Sequence, residues 1–484
     1  MKHILIILMM TGCCLMLAAV EIHDNSVYLD ILIKYTDQTT IYADNELKVE
    51  QQNFPLSYKL MPPLKISLTH AEIDDYYAFV LKTVPVGVDD TFPDENNPYK
   101  EISKNTWEGG KLRIKHFFKI FDDRTFPSYD AAVAVAKTEK RSLKSIEKLS
   151  YPNTQVSVRD LNGEVRYLDL PIEISGTDGM HIDGEPDGYA GKLVIQPVGN
   201  RLRMINNIAL EEYLMSVVTN EIGDNAPMEA LKAQAVAARS ETIASLLYNR
   251  HMDDNCDLCN STHCQVYKGY FEHKKNIEEA VLDTAGEILV CDSMIVDAVY
   301  GSSCGGSTEE NQYAWKGKAL PYLKNVPCES GVENYDLTTN SDAARWIDKP
   351  DNTNGTSWEK KANAWERTIS HEQLEKNSGI GDIRSIIVKK RGKSGRIIQL
   401  EIQGGNGSIT LDSEYKIRQV FGGLPSSFFY ITGSGPYHIK GKGAGHGVGM
   451  CQVGALRKAR EGISYQDILR FYYTNSEIYT DWME

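Results

Sequence analysis

The chain has 484 residues, 42% of them hydrophobic and 24% charged, with a formal net charge of −14. Those fractions are ordinary for a globular protein, and at roughly 100–200 residues per domain the length predicts two to four folded units. The acidic balance, with no basic patch dominating any segment, argues against nucleic acid as a partner and against simple electrostatic attachment to an anionic wall polymer or membrane.

The N-terminus, MKHILIILMMTGCCLMLAAV, places one lysine before an apolar run from Ile4 to Val20 and reads as an export signal over residues 1–20. The run is short for a spanning helix, which needs about 20 apolar residues. Three outcomes stay open: lipoprotein processing at Cys13, cleavage after Ala18 or Ala19, or an uncleaved anchor. Each places the protein outside the cytoplasm, with membrane attachment only through this N-terminal segment.

Residues 21–185 predict a separate α+β region of unassigned role. VYLDILIKY, KLRIKHFFKIF and VRYLDLPIEIS read as strands, YDAAVAVAKTEKRSLKSIEKL as a helix, and DDTFPDENNPYK as a polar loop. From 186 to 484 a second α+β domain of mixed helices and antiparallel strands is expected. It opens with GKLVIQPV and RLRMIN as strands and continues into two helices. Residues 329–370, rich in Asn, Asp and Thr, predict a surface excursion that is longer than ordinary loops and either functional or mobile. IRSIIVKKR, IIQLEIQ and SITL then read as strands, and SYQDILRFYY as a final helix.

The first of the two helices, over 209–222, carries the most informative residue. Leu210, Leu214, Val217 and Glu221 fall at i, i+4, i+7 and i+11, one face of a 3.6-residue helix. A carboxylate in the line that packs inward is costly, and at a helix C-terminus the dipole adds to the cost. Gly223 supplies a stop. Both effects favour the protonated acid, as general acid catalysis near neutral pH requires. A rim glutamate reaching solvent is the plainer alternative. The second helix, over 226–247, has Pro227 at its start and a small-residue face of Leu231, Ala235, Ala238, Thr242 and Leu246. Lys232 and Arg239 share another face, either as sugar-binding cations or as ordinary solvated ones.

Beyond the signal lie seven cysteines, at 256, 259, 264, 291, 304, 328 and 451. An odd number clustered with histidine suits a metal better than a pure disulfide framework. Cys259, His263 and Cys264, closed by Cys256 or His251, have the soft ligands and short spacing of a tetrahedral zinc site. A Cys256–Cys259 or Cys259–Cys264 disulfide is the alternative, and Cys304 with Cys328 is a second candidate pair. GKGAGHGVGM at 441–450 fails as a dinucleotide or phosphate loop: no βαβ unit follows it, and the Gly-Lys-Ser/Thr ending is missing. Tyr267, Tyr300 and Trp315 are suited either to stacking on sugar faces or to a core. No serine or cysteine triad and no HExxH occurs.

LEEYLMSVVTNEI at 210–222 and PMEALKAQAVAARS at 227–240 together resemble the stage II sporulation protein D (SpoIID/LytB) family. CNSTHCQVYKG at 259–269, YGSSCGGSTEE at 300–310 and GKGAGHGVGMCQVGALRKAREGISYQDILRFYY at 441–473 match it in the same order. The resemblance covers roughly the last 300 residues and implies helices and antiparallel strands around a glycan groove. It implies a peptidoglycan lytic transglycosylase favouring strands stripped of stem peptides, with Glu221 as the catalytic residue. Lys232, Gln234 and Arg239 match family positions that orient the acid or the substrate, and the match also places His446 at the groove; Gln265, Tyr267, Tyr300, Ser302 and Ser303 are further expected substrate-binding residues by their chemistry, and glycines 443, 445, 447 and 449 are expected to give close backbone approach. A metal is implied at Cys259, His263 and Cys264; the soft donor set makes it an expected zinc, structural because four protein ligands leave no open position. Some relatives are described as amidase enhancers, so a non-catalytic wall-binding protein that stimulates a cell-wall amidase is the rival expectation. One departure stands out: the family usually has Glu-Met-Pro where this chain has Glu221-Ile222-Gly223.

Overall fold

The computed structural model describes residues 21–483 apart from 24–25, 53–55, 86–98, 122–125, 127, 178, 186, 249–250, 252–255, 270–273 and 351–354. The expected export signal, and most of the loop expected at 89–100, lie outside the described residues. The fold is α+β, as expected, with strands paired antiparallel except for two short parallel pairs among the described residues. The chain divides into two compact units: 1–221 with 242–275 and 481–484, and 222–241 with 276–480.

The first unit is built on two sheets. One runs Glu21–His23, Ser26–Thr36, Arg201–Ala209, Lys192–Val198, Ile172–Ser175, Leu47–Gln51 and Ser57–Leu60 in spatial order. Its β-branched and aliphatic residues, among them Leu29, Ile31, Val49, Ile172, Ile195 and Ile205, are buried, as a pleated half-buried surface favours. Ile172 pairs with Ile195, so strands on both sides of residue 185 belong to one sheet. The second sheet contains the long strands Leu64–Pro85 and Ile146–Arg159 with Lys111–Phe121 alongside.

The helix expected over 129–149 ends early, at Glu139. Ser128 caps its start, and Lys140 ends it in the left-handed conformation at φ +54°. From Ile146 the chain instead pairs with the Leu64–Pro85 strand, Ile146 opposite Phe79 through Arg159 opposite Lys65. A long cross-strand ladder overrides the local helical pattern there.

In the second unit the described residues of the polar 329–370 stretch carry regular elements. Val332–Asn334 forms a 3₁₀ turn, Asn340–Asp348 a helix capped by Thr339, Ser357–Asn363 a helix with a Thr356/Glu359 capping box, and Ala364–Ile369 a strand. Trp346 is fully buried among Val332, Leu337, Ala343, Ile347 and Phe428. Composition hid this: the few apolar residues of the helix fall together as Ala343, Trp346 and Ile347 on one face. The last helix, Tyr465–Tyr472, starts at the Ser464 cap. It is followed by a strand, Glu477–Tyr479, that pairs with Ile288–Cys291.

Candidate functional site

The helix carrying the acid runs Leu210–Ile222, with Leu210, Leu214 and Val217 buried. Glu221 sits half-buried on its last turn, and Gly223 follows at φ +84°, a conformation that ends helices and suits glycine. Glu221 Oε1 accepts the Val266 N–H at 3.2 Å. The strip holding Val266 is fastened on both sides. Gln265 Oε1 accepts from the Tyr213 hydroxyl and from Thr242 Oγ1, each at 3.1 Å. Lys268 N–H donates to Ser216 Oγ at 3.3 Å. Tyr267 is fully buried, its hydroxyl donating to Asn206 Oδ1 at 2.5 Å and its ring 5.1 Å from that of Tyr213. Gln265 and Tyr267 thus hold the strip that orients the acid, with Tyr267 packed as core. A carboxyl with one oxygen fixed on a main-chain N–H has a defined direction for proton transfer.

The same loop carries a metal-competent cluster. The ligand atoms of His251, Cys259, His263 and Cys264 all lie within 4.8 Å of one another. Cys259 Sγ is 3.7 Å from Cys264 Sγ and 3.8 Å from His263 Nδ1, and Cys264 Sγ is 3.2 Å from His251 Nε2. A Zn–S bond of about 2.3 Å implies a tetrahedral S–S edge of about 3.8 Å, so two sulfurs and two imidazoles are spaced as zinc requires. Hydrogen bonds from Cys264, Ser261 and His263 lower the Cys259 thiol to about 3, the thiolate form a metal takes. Of the two expected fourth ligands the structure places His251 in the group. Cys256 lies instead in an apolar cluster with Leu32, Val194 and Ile205.

In the second unit the long-helix residues face inward. Lys232 pairs with Asp283 at 2.8 Å, which raises its pKa. Arg239 is fully buried and donates to the carbonyls of Glu287 and Val281 at 3.1 and 3.2 Å. Gln234, also fully buried, accepts from Gln452 Nε2 at 3.2 Å. These three brace the helix Met228–Tyr248.

The SSCGG segment and the glycine-rich segment meet through short pairings. Tyr300 and Gly301 pair with Met450 and Cys451, and Ser303 bridges Ala444. Ser302 is half-buried, whereas Ser303 is buried and bonded to Asn363 Oδ1 at 3.2 Å. His446 is half-buried beside the exposed Trp315, ring centroids 4.8 Å apart, and its Nδ1 accepts the Val448 N–H at 3.1 Å. Enclosure, and secondarily the Arg396 charge, lower its pKa to about 4, so the ring is a neutral hydrogen-bonding group at pH 7. Ser302 and His446, with Trp315 beside them, therefore form the accessible part of this region, whereas the Tyr300 hydroxyl is buried.

Arg396 braces the meeting point of the two segments. Its guanidinium is fully buried and donates to the carbonyls of Cys304, Ser303 and Gly445 at 2.8, 3.3 and 3.2 Å. A Cβ at Gly447 would stand 2.2 Å from Arg396 Cζ, and one at Gly449 1.9 Å from the Val299 carbonyl oxygen. Those glycines admit the protein's own atoms; only around Gly445 is the space open. An isolated arginine at the start of a strand gives no sequence signal of such a role.

A stage II sporulation protein (SpoIID) family model matches residues 198–291, and a domain of unknown function (DUF8618) matches 309–449. An uncharacterised protein of Brachyspira hyodysenteriae is 31% identical over 62% of this chain and 74% of its own length. Stage II sporulation protein D of Bacillus subtilis is 29% identical over 57% of this chain and 75% of its length. The amidase enhancer of Bacillus subtilis is 28% identical over 55% of this chain and 40% of its length.

Proposed function

This chain belongs to the stage II sporulation protein D family, and on that premise we propose that it is a lytic transglycosylase of peptidoglycan glycan strands with Glu221 as its single acid and base. A role on the cell wall follows from the family. The observation that carries the finer reading is the Glu221 carboxyl on the last turn of its helix, half-buried and held by the Val266 N–H at 3.2 Å. Glu221 delivers its proton to the glycosidic oxygen after N-acetylmuramic acid, through an oxocarbenium-like transition state. The carboxylate then takes the proton of the sugar's own 6-hydroxyl as that oxygen closes on C1, leaving a 1,6-anhydro end. The internal nucleophile removes the need for the second carboxylate of ordinary hydrolases.

His251, Cys259, His263 and Cys264 fit a zinc ion by donor set and spacing. His251, Cys259, His263 and Cys264 would hold such an ion with four protein donors, so it would supply structure rather than Lewis acidity. Its cluster anchors the strip that presents Val266 to Glu221.

A second reading, a non-catalytic wall protein that stimulates an amidase, is favoured by the name of one relative, the amidase enhancer. Muropeptide analysis separates the two. On the first reading purified protein is expected to release anhydro-ended glycans from sacculi lacking stem peptides, and Glu221→Gln to abolish release while retaining binding. A wild-type protein that binds sacculi and releases nothing establishes the second reading instead.

A further inference from the structure

Three cysteines far apart in sequence converge inside the second unit. The sulfurs of Cys304, Cys328 and Cys451 all lie within 4.8 Å of one another, and all three residues are buried. The group extends the expected Cys304–Cys328 neighbourhood by a third sulfur, and none of the three is in a disulfide.

Polar groups reach two of the three sulfurs. Cys451 caps the helix Gln452–Arg460, and its Sγ accepts the N–H groups of Gly454 and Cys304 at 3.3 and 3.2 Å. Main-chain donors and the positive end of a helix favour a thiolate. Cys328 Sγ lies 3.0 Å from the Tyr472 hydroxyl and 3.8 Å from Arg457 Nη2. Glycine at 454 lets Cys328 and Tyr472 close in on the helix backbone: a Cβ there would come within 2.3 Å of Cys328 Sγ and 2.0 Å of the Tyr472 hydroxyl oxygen. Any disulfide between two of the three leaves the third sulfur enclosed beside it, whereas a single ion engages all three.

We infer that Cys304, Cys328 and Cys451 form a second metal site, a three-sulfur cradle for a thiophilic d10 cation such as Zn(II) or Cu(I). Soft thiolates select such ions. A metal–sulfur bond of about 2.3 Å in a trigonal arrangement needs sulfurs about 4 Å apart, within the separation found. Binding forms three metal–sulfur bonds and releases to solvent every thiol proton that the three cysteines carry. With Zn(II), three thiolates and the Arg457 guanidinium sum to zero charge, while Cu(I) leaves one negative charge. The Tyr472 hydroxyl stands where a fourth ligand or hydrogen-bond donor to sulfur is needed. The ion ties the SSCGG turn to the strand after the glycine-rich segment, and so fixes the backbone that presents Ser302 and His446.

The test is metal stoichiometry on the full chain, stripped and reloaded separately with Zn(II), Cu(I) and Cd(II). Two equivalents per chain are expected for the ion the cradle accepts, with Cd(II) giving sulfur-to-metal charge-transfer absorption for five thiolates. Cys304→Ala and Cys451→Ala each reduce this to one equivalent and two thiolates. One equivalent in the wild type, with the charge-transfer intensity of two thiolates, overturns the inference. So does mass spectrometry of the untreated protein that finds two of the three cysteines joined. The wild-type titration decides the matter even if the variants do not fold.

Discussion

Two cysteine-bearing regions of this protein use the same atoms at different sequence ranges. His251, Cys259, His263 and Cys264 lie within one short span, and their loop runs straight on to the N–H that holds Glu221. Cys304, Cys328 and Cys451 are gathered by a strand pairing, a turn and a helix cap. The first arrangement is a local property of the chain; the second exists only once the fold has formed. A local site is legible from spacing and can organise its loop early, whereas a site assembled from distant parts reports that tertiary structure is already in place.

The comparison can be broken most sharply at the local cluster. A structural zinc contributes about 10–16 kcal/mol of apparent binding free energy in small zinc domains. Cys259→Ser with Cys264→Ser, or a strong chelator, is therefore expected to remove one metal, unravel the 259–268 loop and abolish glycan release together. Hydrogen exchange of the Val266 amide reads the loop directly. Activity lost with that amide still protected would make the metal a participant in chemistry instead.

Next in size is Arg396, which braces the distant segments by donating to three carbonyls. Arg396→Met leaves those carbonyls buried without their donor, at about 1–3 kcal/mol each when no water replaces it. Denaturant unfolding is expected to register a loss of about 3 kcal/mol or more, with the first region's metal content unchanged. A loss below about 1 kcal/mol would mean that the segments hold themselves.

The smallest effect is a pH dependence from His446. Its folded pKa of about 4 lies below the ordinary 6.5. The stabilisation is therefore fully present above pH 6.5. It is lost as pH falls through the window between 6.5 and 4, because the unfolded chain takes up a proton that the folded one does not. His446→Asn is expected to flatten the fall of Tm between pH 6.5 and 4; an unchanged slope would place the titration elsewhere.

Much of the acid's setting was legible. The buried stripe of Leu210, Leu214 and Val217, the half-buried Glu221 at its end and the Gly223 stop all follow from a 3.6-residue period and the chemistry of helix ends. The cysteine-histidine loop was legible because its ligands are close in sequence, although spacing left Cys256 and His251 equal. What sequence could not give is direction. Arg239 and Lys232 share a helix face in both readings, but only the fold reveals that carbonyls and Asp283 occupy them. Tyr267 looks like a stacking platform until its hydroxyl is found on Asn206. Composition concealed the burial of Trp346 within 329–370, since the polar majority of the stretch hides the single helix face of Ala343, Trp346 and Ile347.

The most direct test of the central claim is the muropeptide profile of stem-peptide-free sacculi treated with wild type and with Glu221→Gln. General acid–base catalysis contributes about 10²–10⁴-fold, so 1,6-anhydro products are expected from the wild type and a loss of at least about 100-fold in the variant, with sacculus binding and Tm unchanged. Equal product from both proteins, or reducing ends in place of anhydro ends, would contradict a mechanism carried by this one carboxyl.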